Sequence, residues 1–286
     1  MFYIPILGAF LEATGMIMEK EVIRKKNMNY KNYTVYGFLA IVVAIIPFLF
    51  FFWKVTPEAF ELKNLIVLFL VIISALFANL LIFYSLKREK LCEFEPIRLM
   101  QPLFTILLAF ILSFFITSYA NERNVYILGL ALIASITLIW AHVKKHHLNF
   151  DKYIIAALLG SFLFGVELAL SKIILPYYSS WSFYFIRCLI ILIIAAIIFR
   201  PDLKKIDKKT HYFTWIVSFI WITYRIILYW GYEALGIIFT TMILILTPIF
   251  IFIFARIFLK EKPTKKQIIS AVIILLCVVA AVYLKH

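Results

Sequence analysis

The chain has 286 residues, 65% of them hydrophobic and 15% charged, with a mean hydropathy of +1.00. Soluble domains carry about a quarter charged residues, so water is excluded as the main solvent, and at roughly 20 apolar residues per bilayer crossing no room is left for a soluble domain. The net charge of +14 does not indicate nucleic acid as a partner, because the lysines and arginines sit between apolar stretches rather than along one face of a folded domain.

Ten apolar stretches follow one another, at about residues 2–19, 33–53, 64–86, 97–118, 125–142, 153–175, 180–199, 212–232, 236–259 and 267–284. They predict an all-α integral membrane protein with ten transmembrane helices in a lipid bilayer. The first stretch lacks a basic start and a small-residue cleavage site and carries Glu12, so it reads as a retained span rather than a signal peptide.

The sixth stretch opens as the first does. Gly8, Phe10 and Leu11 are matched by Gly160, Phe162 and Leu163, each set with a lysine twelve positions after the glycine, Lys20 and Lys172. A doubled five-helix unit follows, with repeats at 1–147 and 148–286, and an odd number of spans forces the copies into opposite orientations. The basic residues alternate accordingly: 21 Lys and Arg, among them Lys87 and Arg98, accompany the connections after odd-numbered stretches, against Lys54, Lys63, Arg123 and Lys285 at the even connections and termini. Basic loops stay cytoplasmic, which predicts both termini outside, in a prokaryotic cell membrane.

Polar groups inside spans are costly and mark function or structural pairing. In chain order these are Glu12, Asn79, Gln101, Glu167, Arg187 and Arg225, while Lys172 and Arg256 lie close enough to span ends to snorkel. Glu12 reads as a proton or cation group, as the partner of a Lys or Arg, or as a residue at the lipid head groups. On the repeat alignment Glu167 falls opposite Gly15, nearly one turn from the equivalent of Glu12, which makes it a second carboxylate of a central cavity or the counter-charge of Arg187 or Arg225. Trp221 and Arg225, four apart, share a helix face with Tyr224 nearby and suit a cation–π wall that holds a carboxylate-bearing solute. Trp230 and Tyr232 read as an interfacial aromatic belt. Pro102 and Pro248 each remove a backbone hydrogen bond and are the candidate hinges of the fourth and ninth spans.

Some constellations carry no chemistry. Cys92, Cys188 and Cys277 are isolated and odd in number, which suits packing thiols. His142, His146 and His147 have the spacing of one desaturase histidine box, but they fall beside Lys144 and Lys145 and read as a solvated basic linker. No phosphate-binding glycine loop or nucleophile constellation is evident, so no enzyme activity, metal or cofactor is expected.

The chain resembles the drug/metabolite transporter superfamily, in particular its ten-helix EamA type. Leu235-Gly236, Thr247-Pro248-Ile249-Phe250 and Phe258-Leu259-Lys260-Glu261-Lys262-Pro263-Thr264 look like that family's pattern, and Ser85-Leu86 with Gln101-Pro102-Leu103-Phe104 echo it in the first half. It departs by a Lys before Glu261, by the missing Trp-Gly pair of first spans, and by termini that many relatives place in the cytoplasm. Glu12 with Gly15 and Lys20 resembles the first span of the small multidrug-resistance proteins, whose embedded glutamate binds protons and cationic substrate in turn. The resemblance implies a secondary transporter of a small metabolite or amphipathic compound, working by alternating access and proton-coupled through Glu12. The alternatives are a gradient-independent facilitator, exchanger or flippase for a lipid-linked or sugar-type substrate, and a structural or receptor membrane protein.

Overall fold

The computed structural model describes residues 3–25, 28–88, 97–142, 152–201, 207–258 and 264–285; the side chains of Arg88, His142, 255–258 and Lys285 are outside that description. Cys92, His146, His147, the boundary at 147/148 and residues 259–263 of the family-like pattern also lie outside the described residues, as does the side chain of Arg256.

The helices are α1 (Tyr3–Arg24), α2 (Tyr30–Phe52), α3 (Leu62–Arg88), α4 (Met100–Leu112), α5 (Val125–His142), α6 (Lys152–Ile174), α7 (Ser180–Phe199), α8 (Lys208–Ala234), α9 (Ile237–Leu244), α10 (Thr247–Phe258) and α11 (Lys265–Lys285). Among the described residues seven stretches are long and apolar enough to cross a membrane, one of them running from α9 into α10 as Ile237–Phe254, and α4 and α5 add shorter apolar helices. Polar side chains fix several starts by accepting a backbone N–H three residues on: Asn29 from Asn32, Ser179 from Ser182 and Asp207 from Thr210.

Three elements differ from the sequence expectation. The first helix continues to Arg24, which places Glu19 and Lys20, expected at the span end, inside the bundle at 5% exposure each. The fourth stretch is helical only to Leu112 and then turns into a 3-10 segment at Thr117–Glu122. The ninth breaks at Ile245 and Leu246, ahead of Pro248. Pro248 has no N–H for the Leu244 carbonyl, and the Thr247 hydroxyl donates to that carbonyl instead at 2.7 Å. Pro102 stands in the first turn of α4 rather than mid-helix, where a missing N–H leaves no bond unmade.

The halves interleave. α1 packs on α8 and α3 on α6, while α2 lies against α7 and α5 against α11. A Cβ on Gly8 would meet Ile227 of α8 at 3.0 Å, and one on Gly160 would meet Ile82 of α3 at 2.9 Å. The glycines of the repeated phrase thus do one job twice, letting two helices approach. Its phenylalanines also correspond: Phe10 meets Phe250 edge-on at 5.7 Å, and Phe162 meets Phe104 edge-on at 5.5 Å, each partner standing two residues after a proline.

The two ends of the bundle are distinct. At one, Lys87 Nζ donates to the carbonyls of Ile23, Lys25 and Met28 at 2.7–2.8 Å, closing the α1–α2 turn, and Tyr84 of α3 lies against Tyr153 of α6. At the other, Thr56 donates its N–H to the Tyr177 carbonyl and Ser179 to the Lys54 carbonyl, both at 2.9 Å, clipping the α2–α3 connection to the α6–α7 connection. Large apolar side chains such as Phe50, Phe51 and Phe115 are strongly exposed on the perimeter, as a surface facing lipid requires.

Candidate functional site

The most buried charge is Glu167, at the middle of α6 with no exposure. Arg187 of α7 places Nε 3.0 Å from its Oε1, Arg225 of α8 donates from Nη1 to Oε2 at 3.3 Å, and the Tyr229 hydroxyl donates to Oε1 at 3.2 Å. A desolvated carboxylate persists only when so surrounded. Of the two expectations for Glu167, the contact with arginine is the one present, and it involves both Arg187 and Arg225. This cluster ties α6, α7 and α8 together.

Beside it lies a cavity of about 70 Å³ bordered by Glu12 and Glu19 of α1, Tyr33 of α2, Asn79 of α3, Arg98 and Gln101 ahead of and within α4, and Arg187, Trp221, Tyr224 and Arg225. Glu12 is only partly buried although it is mid-helix, because its face borders this space. The Thr247 hydroxyl lies 2.8 Å from Glu12 Oε2 and shares its single hydrogen between that oxygen and the Leu244 carbonyl, and the Tyr33 hydroxyl donates to Glu19 Oε1 at 3.0 Å. Among the described residues neither carboxylate has an ion-pair partner within 4.0 Å. Arg98 exerts the strongest electrostatic attraction on both. A second, smaller space joins Glu12, Arg98 and Gln101 to Pro102, Thr247 and Pro248, so the two prolines meet at one place.

All eight side chains expected on the pathway border the larger cavity except Glu167, which sits behind its arginines. Asn79 uses its amide N–H on the Ala75 carbonyl at 2.7 Å. Trp221 and Tyr224 meet edge-on at 5.4 Å, but the guanidinium over Trp221 is that of Arg98, at 5.8 Å, while Arg225 lies over Phe164 at 5.7 Å. Arg225 is drawn there by Glu167. Tyr232 is no interfacial residue: it is fully buried, with its hydroxyl 3.4 Å from Thr241 Oγ1. Lys172 does not snorkel to solvent but pairs with Glu122.

Glu19, Arg98 and Glu122 were not foreseen. Glu19 stands seven residues after Glu12, two helical turns on the same face, and that spacing was the available signal. Arg98 stands second in the fourth apolar stretch, at its edge, and reads by composition as part of the basic connection before it. Glu122 accepts the backbone N–H groups of Ile237 and Ile238 at 2.7 and 3.0 Å, holding the start of α9 with a charge that suits a helix N-terminus. It does so next to Gly236, whose φ of +93° few other residues adopt. Glu122 and Lys172 also border an open cavity of about 700 Å³ at the clipped end of the bundle. Among the described residues no group of three His, Cys, Asp or Glu is placed to hold a metal ion.

The model of the EamA-like transporter family matches residues 1–141 and again 151–283. The chain belongs to the EamA-like transporter family. As an EamA-like transporter it is a multi-pass integral membrane protein that moves small solutes across a lipid bilayer, and its family comprises transporters rather than enzymes. The double match coincides with the two halves that share the Gly-x-Phe-Leu phrase. Among solved structures, one whose description reads "Crystal structure of protein" is similar to this EamA-like chain with a TM-score of 0.73 at 13% identity, over 99% of this chain and 97% of the other. At that identity the likeness concerns the fold. A search of curated proteins finds no match.

Proposed function

We propose that the chain is a secondary transporter of ten spans in two inverted five-helix repeats, which carries a small metabolite or amphipathic compound by alternating access and couples its movement to protons through Glu12. The observation that carries this reading is the polar cavity in mid-bundle, where Glu12 and Glu19 lack ion-pair partners among the described residues while Glu167 is fully engaged. A carboxylate that is near water and free of a fixed cation can hold a proton or a cation but not both. Glu19 would be the second such group.

The reciprocal packing of α1 on α8 and α3 on α6 supports the inverted repeat, since exchanging the halves turns one contact into the other. α1 ends at the Lys87 end of the bundle whereas α6 begins there. In this reading α9 and α10 form one broken span, as transporters commonly break helices at their sites, and Pro248 is the hinge point beside Glu12, with Pro102 bordering the same space from the start of α4. The end rich in basic residues faces the cytoplasm and both termini lie outside, in a prokaryotic cell membrane.

The test is uptake of a panel of small solutes by purified protein in proteoliposomes, with and without a pH gradient. The reading expects at least one solute whose accumulation rises with the gradient. Flux that ignores the gradient and responds only to solute on the opposite side would replace coupling with facilitated exchange.

A further inference from the structure

We infer that Arg187 is the site at which the transported solute docks a carboxylate. The inference rests on the transport reading above and adds the chemical class of what is carried.

Arg187 is 1% exposed and borders the mid-bundle cavity. Its Nε lies 3.0 Å from Glu167 Oε1, and its Nη1 is 3.9 Å from the sulfur of Cys188, a weak acceptor. Its Nε and Nη2 are both buried and neither has a hydrogen-bond partner among the described residues, the contact of Nε with Glu167 being an ion pair by distance alone. A guanidinium nitrogen withdrawn from water ordinarily finds an acceptor, and Arg187 is among the residues that border the cavity.

The charges point the same way. Glu167 supplies one negative charge to two guanidiniums, those of Arg187 and Arg225, so the cluster keeps one positive charge in surplus. Neither Glu12 nor Glu19 approaches Arg187 within ion-pair distance among the described residues. Arg225 holds the other carboxylate oxygen of Glu167, and of the two guanidiniums it is that of Arg187 whose buried nitrogens lack a hydrogen-bond partner among the described residues. Glu12, Glu19 and Arg98 border the same cavity, and with two carboxylates already there a monoanion is accommodated at lower cost than a dianion. The cavity of about 70 Å³ has room for about two waters at roughly 30 Å³ each. It therefore accepts a carboxylate group but must widen for the rest of an organic solute, which would then lie along Trp221 and Tyr224.

The experiment is thermal unfolding of the purified full chain in detergent, with benzoate, benzyl alcohol or phenyl phosphate added at matched ionic strength. Benzoate is expected to raise the midpoint well above the effect of the other two. Arg187→Gln leaves Glu167 and Arg225 as a balanced pair, so the variant should fold, with apparent benzoate affinity lower by about tenfold or more. Arg187→Lys keeps the charge and should keep part of the benzoate shift. A purely structural Arg187 would lower the unliganded midpoint when replaced yet leave the benzoate shift intact, and that result overturns the inference. So does an absent benzoate shift in the unaltered protein, or a larger shift with phenyl phosphate. Because binding is read without any gradient, a failure of proton coupling leaves this measurement standing, and the two failures are told apart.

Discussion

Arg187 Nε lies 3.0 Å from Glu167 Oε1 in the interior of the bundle, with both side chains shielded from solvent. Burying an ion pair does little for net stability, but removing one member is strongly destabilising. Glu167→Gln leaves two guanidiniums facing each other across a neutral amide and should destabilise the fold by about 3–5 kcal/mol. Arg187→Gln, which leaves Arg225 on Glu167, should be much milder. Thermal unfolding of both variants in detergent checks the order; equal losses would show that Arg225 does not share the carboxylate.

Close helix approach gives a second expectation. A Cβ on Gly165 would stand 2.8 Å from Phe104 Cβ and 3.2 Å from the Thr105 nitrogen, so Gly165→Ala must push α4 away from α6 and should destabilise by about 1–3 kcal/mol. Gly129 of α5 has open space around it, and Gly129→Ala should be neutral or stabilising because alanine favours the helix by roughly 0.8–1 kcal/mol. Detergent unfolding of the matched pair is the check, and a Gly165→Ala protein as stable as the parent would contradict this packing.

A pH effect is expected at the start of α8. The Asp207 carboxylate accepts from the Thr210 hydroxyl and backbone N–H, which holds its pKa below the usual aspartate value. Its contribution is therefore present above the unfolded value of about 3.9 and is lost as pH falls through the lower folded value. Hydrogen exchange at the Thr210 amide should speed up below pH of about 4 beyond the intrinsic trend, and Asp207→Asn should remove that extra dependence.

Much of the fold was legible in the sequence, and particular residues show why. Gly8 and Gly160 announced a repeat because close helix contact demands the same small residue wherever the same contact recurs. Apolar runs mark spans because lipid admits little else, yet they mislocated the end of α1: Glu19 and Lys20 look like a water edge by composition and are buried by their neighbours. Pro248 marked a break, whereas Pro102 did not, because the effect of proline depends on where the helix begins. The site was legible as a set of residue types but not as a set of partners. Glu12 and Glu167 read along the chain as two mid-span carboxylates nearly one turn apart on the repeat alignment, and tertiary packing gave Glu12 a threonine and Glu167 two arginines and a tyrosine. Arg98 and Glu122 enter only through contacts far apart in sequence.

Orientation is open to direct measurement. Lys63 is exposed near the clipped end of the bundle, before the apolar run of α3. With basic loops cytoplasmic, a Lys63→Cys variant in intact cells should react with a membrane-impermeant maleimide added outside. Labelling that appears only after the cells are opened would reverse the orientation.

The most direct test of the central claim compares the unaltered protein with Glu12→Gln in proteoliposomes, using a transported solute and an imposed pH gradient. Glutamine preserves the size of Glu12 and an acceptor for the Thr247 hydroxyl, so the variant should fold and bind solute. The expected result is loss of gradient-driven accumulation in Glu12→Gln while exchange of solute across equal pH persists. Equal gradient-driven flux from both proteins would contradict proton coupling through Glu12.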